Sequence, residues 1–110
     1  MKKNKRIIKN NKEKKMNYIE EIKNKLISIF DNYNVKEAIL FGSFAKNTAT
    51  EKSDIDLLVD SRLKGISFFG LLEDITNAIG KEVDLIDVSQ IETGSQIEKE
   101  IKNTGVIIYG

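Results

Sequence analysis

The stretch Ile39-Leu40-Phe41-Gly42-Ser43-Phe44-Ala45-Lys46 organises the chain, together with Asp54-Ile55-Asp56-Leu57-Leu58-Val59, which begins eight residues later. An apolar run ends in Gly-Ser, a polar loop follows, and a second apolar run carries two carboxylates two positions apart. Residues i and i+2 of a strand face the same way. A strand over residues 54–60 therefore shows Asp54 and Asp56 on one face and Ile55, Leu57 and Val59 on the other. Two such carboxylates repel by on the order of 1–4 kcal/mol at a few Å, according to local screening. A hard divalent cation offsets that repulsion, and Mg²⁺ is commonly held by one or two carboxylates plus phosphates. A solvated sheet edge is the competing account of the same pair. Gly42, placed after a strand, can take a positive φ and let a ligand approach the backbone. With the Ser43 hydroxyl and the amides of the next turn it offers a seat for phosphate oxygens. An ordinary turn has the same sequence.

Outward from this stretch the elements alternate. Residues 16–32 carry Ile19, Ile22, Leu26, Ile29 and Phe30 at helical steps, which predicts a core-covering helix. Residues 36–41 read as a short buried strand. Residues 43–53 are small and polar and read as a loop, opening with a helical turn at 43–47. Residues 66–79 place Ile66, Phe69, Leu72, Ile75 and Ile79 at helical spacing, widened by Phe68, Leu71 and Ala78, with Gly80 as the stop. Residues 82–88 form a third strand with Val83 and Leu85 on one face and Asp84 and Ile86 on the other. Asp60 and Asp87 read as lone surface acids. A weaker helix over 90–103, interrupted by Gly94, and a strand over 105–109 close the chain. Strands alternating with helices predict an α/β domain with a sheet packed by helices.

Composition narrows the chemistry. At 110 residues with 40% apolar content the chain suits one domain with a modest core. It has no Cys and no His, so disulfides, thiolate sites and imidazole bases are excluded. Catalysis must then run on Asp, Glu, Lys, Ser, Tyr or a metal. No apolar run approaches the roughly 20 residues of a membrane span, and no apolar signal core follows the N-terminal Lys and Arg. A cytoplasmic location without membrane contact is the expectation. Residues 1–15 hold eight basic residues and one acid, net +7, whereas the remainder holds ten basic and sixteen acidic, net −6. The chain is thus expected to divide into a basic, disordered tail over 1–15 and a folded domain over 16–110. An acidic body is a poor general partner for nucleic acid, which leaves the tail as the one segment suited to RNA.

The joint pattern is Gly42-Ser43, ten residues, Asp54-Ile55-Asp56, a helix, then Val83-Asp84-Leu85. It resembles the nucleotidyltransferase superfamily of DNA polymerase beta, and within it the minimal nucleotidyltransferases, over roughly residues 35–109. The short length resembles the antitoxin half of HEPN/MNT toxin–antitoxin pairs. The resemblance implies a polymerase-beta-like core with a small mixed sheet of about four strands. It implies that Gly42, Ser43 and Lys46 hold the nucleotide triphosphate. Asp54, Asp56 and Asp84 would bind two Mg²⁺ ions, and Asp84 would help deprotonate the attacking hydroxyl. ATP is the implied substrate and a HEPN-type toxin, modified on a tyrosine hydroxyl, the implied acceptor. Two departures stand in the phosphate segment. The family commonly has Ala-Arg-Gly where this chain has Ala45-Lys46-Asn47, so the cation becomes a point charge without a bidentate fork. Two alternatives remain at this level: a non-catalytic module that neutralises its partner by binding, and a transferase acting on a small molecule or RNA.

Overall fold

The computed structural model describes residues 10–46, 48–50 and 52–110, with side chains from Tyr18 onward. Its elements run α1 (Asn10–Asn32), β1 (Glu37–Phe41), α2 (Gly42–Ala45), β2 (Ile55–Asp60), α3 (Ile66–Ile79), β3 (Val83–Asp87), a 3₁₀ turn (Val88–Gln90), α4 (Gln96–Thr104) and β4 (Val106–Tyr109). The four strands form one mixed sheet in the order β3-β2-β1-β4. β1 is antiparallel to both β2 and β4, and β2 runs parallel to β3. Parallel neighbours need a crossover, and α3 supplies it between β2 and β3.

One face of the sheet makes the core. Ala38, Leu40, Ile55, Leu57 and Val59 bury fully against Leu26 and Phe30 of α1 and Leu71 and Ile75 of α3. This is the β2 face that alternation assigned to the core. The opposite face carries Ile39, Phe41, Asp56 and Leu58. α4 lies on this side: a Cβ added to Gly105 at its end would stand 2.8 Å from Ile39. The tyrosine hydroxyls close the periphery. Tyr33 donates to Asp74 of α3 at 2.7 Å, and Tyr109 donates to Asp31.

Several expectations are corrected. α1 begins at Asn10 rather than Met16 and so takes in residues 10–15. That segment has no Gly or Pro, and Lys and Glu are good helix formers, but an entirely polar stretch shows no apolar period to read. Residues 1–9 lie outside the described residues. The α3 stripe is displaced. Ile66 is 90% and Phe69 63% exposed, while Leu71 and Ile75 are buried. At about 100° per residue, Phe68, Leu71, Leu72 and Ile79 stay within about 60° of Ile75, whereas Ile66 falls on the opposite side. α4 starts only at Gln96, after Gly94 takes a φ of +79° and the Ser95 hydroxyl accepts from the Glu98 amide at 3.2 Å.

Asp87 is buried, not a surface acid. Alternation from Val83 turns it inward at the end of β3. Its Oδ1 accepts from the Ser61 amide and hydroxyl at 3.0 and 2.7 Å, and its Oδ2 from the Ser89 amide and hydroxyl at 3.0 and 2.7 Å. Burial alone pushes this carboxyl up, but the Ser89 and Ser61 hydrogen bonds outweigh it and hold Asp87 below the ordinary carboxylate range. A lowered carboxyl stabilises the fold above its unfolded pKa, and that contribution is lost as acid protonates it. Asp87→Ala is expected to cost about 2–4 kcal/mol, because four donors lose their acceptor. Urea unfolding at neutral pH measures this, and the difference from the parent should shrink toward pH 3.

Candidate active site

The site is built where β1 ends. Phe41, its last residue, pairs with Asp56 of β2, and Asp56 pairs with Asp84 of β3. The chain then leaves the sheet through Gly42 at φ +74°, the left-handed region that favours glycine. Gly42 also has no room for a side chain: an added Cβ would overlap Asp56 Oδ2 and stand 3.1 Å from its Cγ. α2 follows at once. The Lys46 amide donates to the Gly42 carbonyl at 3.1 Å, and the Thr48 amide to the Ser43 carbonyl at 3.0 Å. These bonds close the segment into a turn directly after β1.

Asp56 and Asp84 stand side by side across the parallel ladder. Asp56 is pushed up to about 6, first by desolvation, then by the hydrogen bond and charge of Asp84, and further by the charges of Glu100 and Asp54. Asp54 is exposed and stands one residue before β2. The Ile55 amide donates to the Glu82 carbonyl at 3.1 Å, which fixes the start of β2 beside β3. In the preceding loop the Thr50 amide donates to the Ser53 hydroxyl at 2.8 Å.

A cleft of about 410 Å³ opens over Asp56 and Asp84, walled by Phe41, Leu85, Ile86, Ile97 and Glu100. The two last residues come from α4, one turn apart. Glu100 also meets Lys46, its carboxylate 3.6 Å from the ammonium. A second cavity of about 430 Å³ lies behind α2 and holds none of the carboxylates named above; Tyr18, Ile22, Phe44, Ile55 and Ile79 are among its walls.

Of the residues singled out by sequence, Gly42, Asp56 and Asp84 come together. Ser43 is half-buried in α2, Lys46 stands at the end of α2 on the Glu100 side, and Asp54 is exposed just before β2 and does not line the cleft. Asn47 lies outside the described residues. Sequence reasoning missed Glu100, Ile97 and Phe41. Glu100 follows Ile97 by three residues and so shares its helix face, but nothing local says what that face meets.

The donor set fits a hard divalent cation. Asp56 and Asp84 present oxygens on adjacent strands, and Gly42 leaves the space beside Asp56 clear of a Cβ. Among the described residues no group of three acidic side chains already forms an ion cage. Mg²⁺ does not require one, since it usually keeps waters and takes phosphate oxygens beside one or two carboxylates. No described helix is long and apolar enough to cross a membrane.

Residues 24–110 match the family described as Polymerase beta, Nucleotidyltransferase. A Methanocaldococcus jannaschii protein, named provisionally as a protein adenylyltransferase, is 41% identical over 76 residues, covering 66% of this chain and 81% of the relative. A chain from a toxin–antitoxin crystal structure with AMP-PNP superposes with a TM-score of 0.69 at 26% identity, over 80% of this chain and 73% of the other. A chain from a complex of tri-AMPylated Shewanella oneidensis HEPN toxin with MNT antitoxin gives a TM-score of 0.64, over 84% and 72% of the two chains. At 23% identity the latter shows the shared fold.

Proposed function

Since the chain belongs to the polymerase beta nucleotidyltransferase family, we propose that it moves AMP from ATP onto a hydroxyl of a HEPN-type toxin and so acts as the antitoxin of a pair. The observation that carries this reading is the Asp56–Asp84 carboxyl pair set against the side-chain-free flank of Gly42. A site so built keeps two acids together at an energetic cost and clears the backbone beside them. The similarity to an adenylyltransferase-named relative and to a toxin–antitoxin chain solved with AMP-PNP supports the choice of nucleotide and partner.

The residues divide the work. Gly42, Ser43 and Lys46 hold the triphosphate on the α2 side of the cleft. Asp54, Asp56 and Asp84 would hold two Mg²⁺, which when bound would neutralise charge on the phosphate oxygens and the leaving group. The acceptor hydroxyl oxygen forms a bond to the α-phosphorus, and the bond from that phosphorus to the bridging oxygen of the β-phosphate breaks. Pyrophosphate leaves with the bond electrons. The hydroxyl proton passes to Asp84, the more exposed carboxylate of the pair. Phosphoryl transfer asks mainly for positioning and charge neutralisation, so a chain without His can perform it.

Co-expression with the HEPN-type partner tests the reading. An intact-mass gain of whole AMP units on the partner is expected with the parent chain, and none with the Asp54→Asn/Asp56→Asn variant. Protection by that variant without any mass gain would instead establish a module that neutralises by binding alone. Separately, millimolar Mg²⁺ with ATP is expected to raise the melting temperature by several degrees, as mass action requires of a ligand that binds only the folded state. An unmoved midpoint would count against the site.

A further inference from the structure

We propose that Glu100 is a positioning residue for the nucleotide: its carboxylate holds the Lys46 ammonium in the place of a phosphate oxygen and surrenders it when a triphosphate binds. The inference rests on the nucleotidyltransferase reading and adds to it a residue from α4, outside the Gly-Ser and Asp-x-Asp segments.

The geometry places the exchange at the right spot. Lys46 is rooted at the end of α2, its amide bonded to Gly42, so its stem starts beside the turn that receives the phosphates. Glu100 stands across from it on α4 and lines the same cleft as Asp56 and Asp84. Three carboxylates thus border the cleft, and the charge of Glu100 is felt at Asp56. Lys46 meets this wall at its Glu100 corner.

The contact is also easily exchanged. Its 3.6 Å separation exceeds the 2.7–2.9 Å typical of a tight charge-assisted bond. Both side chains are partly exposed, at 46% and 37% for Lys46 and Glu100. An ion pair of this kind shifts an equilibrium by at most about fivefold. A triphosphate offers several anionic oxygens in return. A lysine is suited to such a swap, because its three donors rotate about a flexible stem and need no planar match. Glu100 therefore keeps Lys46 extended over the cleft while the site is empty. It also makes nucleotide binding weaker than Lys46 alone would allow, and it retrieves the cation as pyrophosphate leaves.

Calorimetric titration of the full chain with AMP-PNP and Mg²⁺ tests this on four proteins: the parent, Glu100→Gln, Lys46→Met and the double variant. Glu100→Gln is expected to tighten Kd by about three- to fivefold, by releasing Lys46. Lys46→Met should weaken it by about fivefold or more. In the Lys46→Met background the Glu100→Gln gain should fall below about twofold, since no cation remains to be released. Equal gains in both backgrounds would make Glu100 a bulk negative charge and overturn the proposal. So would an unchanged or weakened Kd in Glu100→Gln with its melting temperature preserved. Absence of binding by the parent would remove the nucleotidyltransferase reading itself, a distinct result from binding that Glu100→Gln leaves unaltered.

Discussion

Gly42→Ala is expected to slow adenylyl transfer by about 100-fold or more while leaving a folded but weakened protein. Two costs add. The residue sits at φ +74°, where a Cβ meets the neighbouring carbonyl oxygen at about 1–2 kcal/mol. The same Cβ would overlap Asp56 Oδ2, with the rest of that side chain close behind it. Backbone or carboxylate must move, and Asp56 yields more readily because it is only half-buried. The combined loss is expected at about 2–4 kcal/mol, read from urea unfolding. Displacing a reacting group by about 1 Å costs on the order of 100-fold in rate, so transfer should drop at least that far. A Gly42→Ala protein with unaltered transfer and unaltered Kd for AMP-PNP would show that the turn is structural only.

Asp56→Asn separates function from stability in the opposite sense. The carboxyl is raised to about 6 by desolvation and then by Asp84, against about 3.9 for an unfolded aspartate. Folding therefore favours the protonated form. The stability it contributes is fully present below about pH 4 and is lost as pH rises through about 6. At pH 7.5 in the absence of divalent ions, the ionised pair is a liability. Asparagine keeps the shape and removes the charge. The variant is expected to melt higher than the parent at pH 7.5 and to match it near pH 4, by scanning calorimetry across that range. Transfer should fall by roughly 10³-fold or more, as expected when charge stabilisation is withdrawn from the reacting centre. Adding Mg²⁺ should lift the parent's melting temperature and leave the variant's nearly unchanged. A variant less stable than its parent at pH 7.5 would mean that Asp56 contributes packing or hydrogen bonds that outweigh its repulsion.

Much of the molecule was legible because its period is short. Alternation along Ile55–Asp60 placed Ile55, Leu57 and Val59 in the core, where each is at most 1% exposed. Gly80 stopped α3 in the left-handed conformation that the sequence suggested. Where the pattern was permissive, reading failed. Eight apolar positions on α3 admit more than one stripe, and only the seating of Leu71 and Ile75 against α1 decides that Ile66 faces water. Asp87 looked like a solvated acid because its partners, Ser61 and Ser89, are supplied by the ends of β2 and the 3₁₀ turn. A serine 26 residues away leaves no local signal.

The candidate site divides in the same way. Its Gly-Ser turn, its paired aspartates and the strand position of Asp84 were determined by sequence alone, since residue type and an i, i+2 spacing are local properties of the chain. Tertiary structure decided which of them meet. The antiparallel register sets Phe41 opposite Asp56 and so lays Gly42 against that carboxylate, while the parallel register sets Asp84 beside it. It also decided that Lys46 is held by Glu100, 54 residues along the chain from it. The physical reason is that a charge acts through space over a few Å, and sheet order and helix docking, not sequence distance, bring two charges that close.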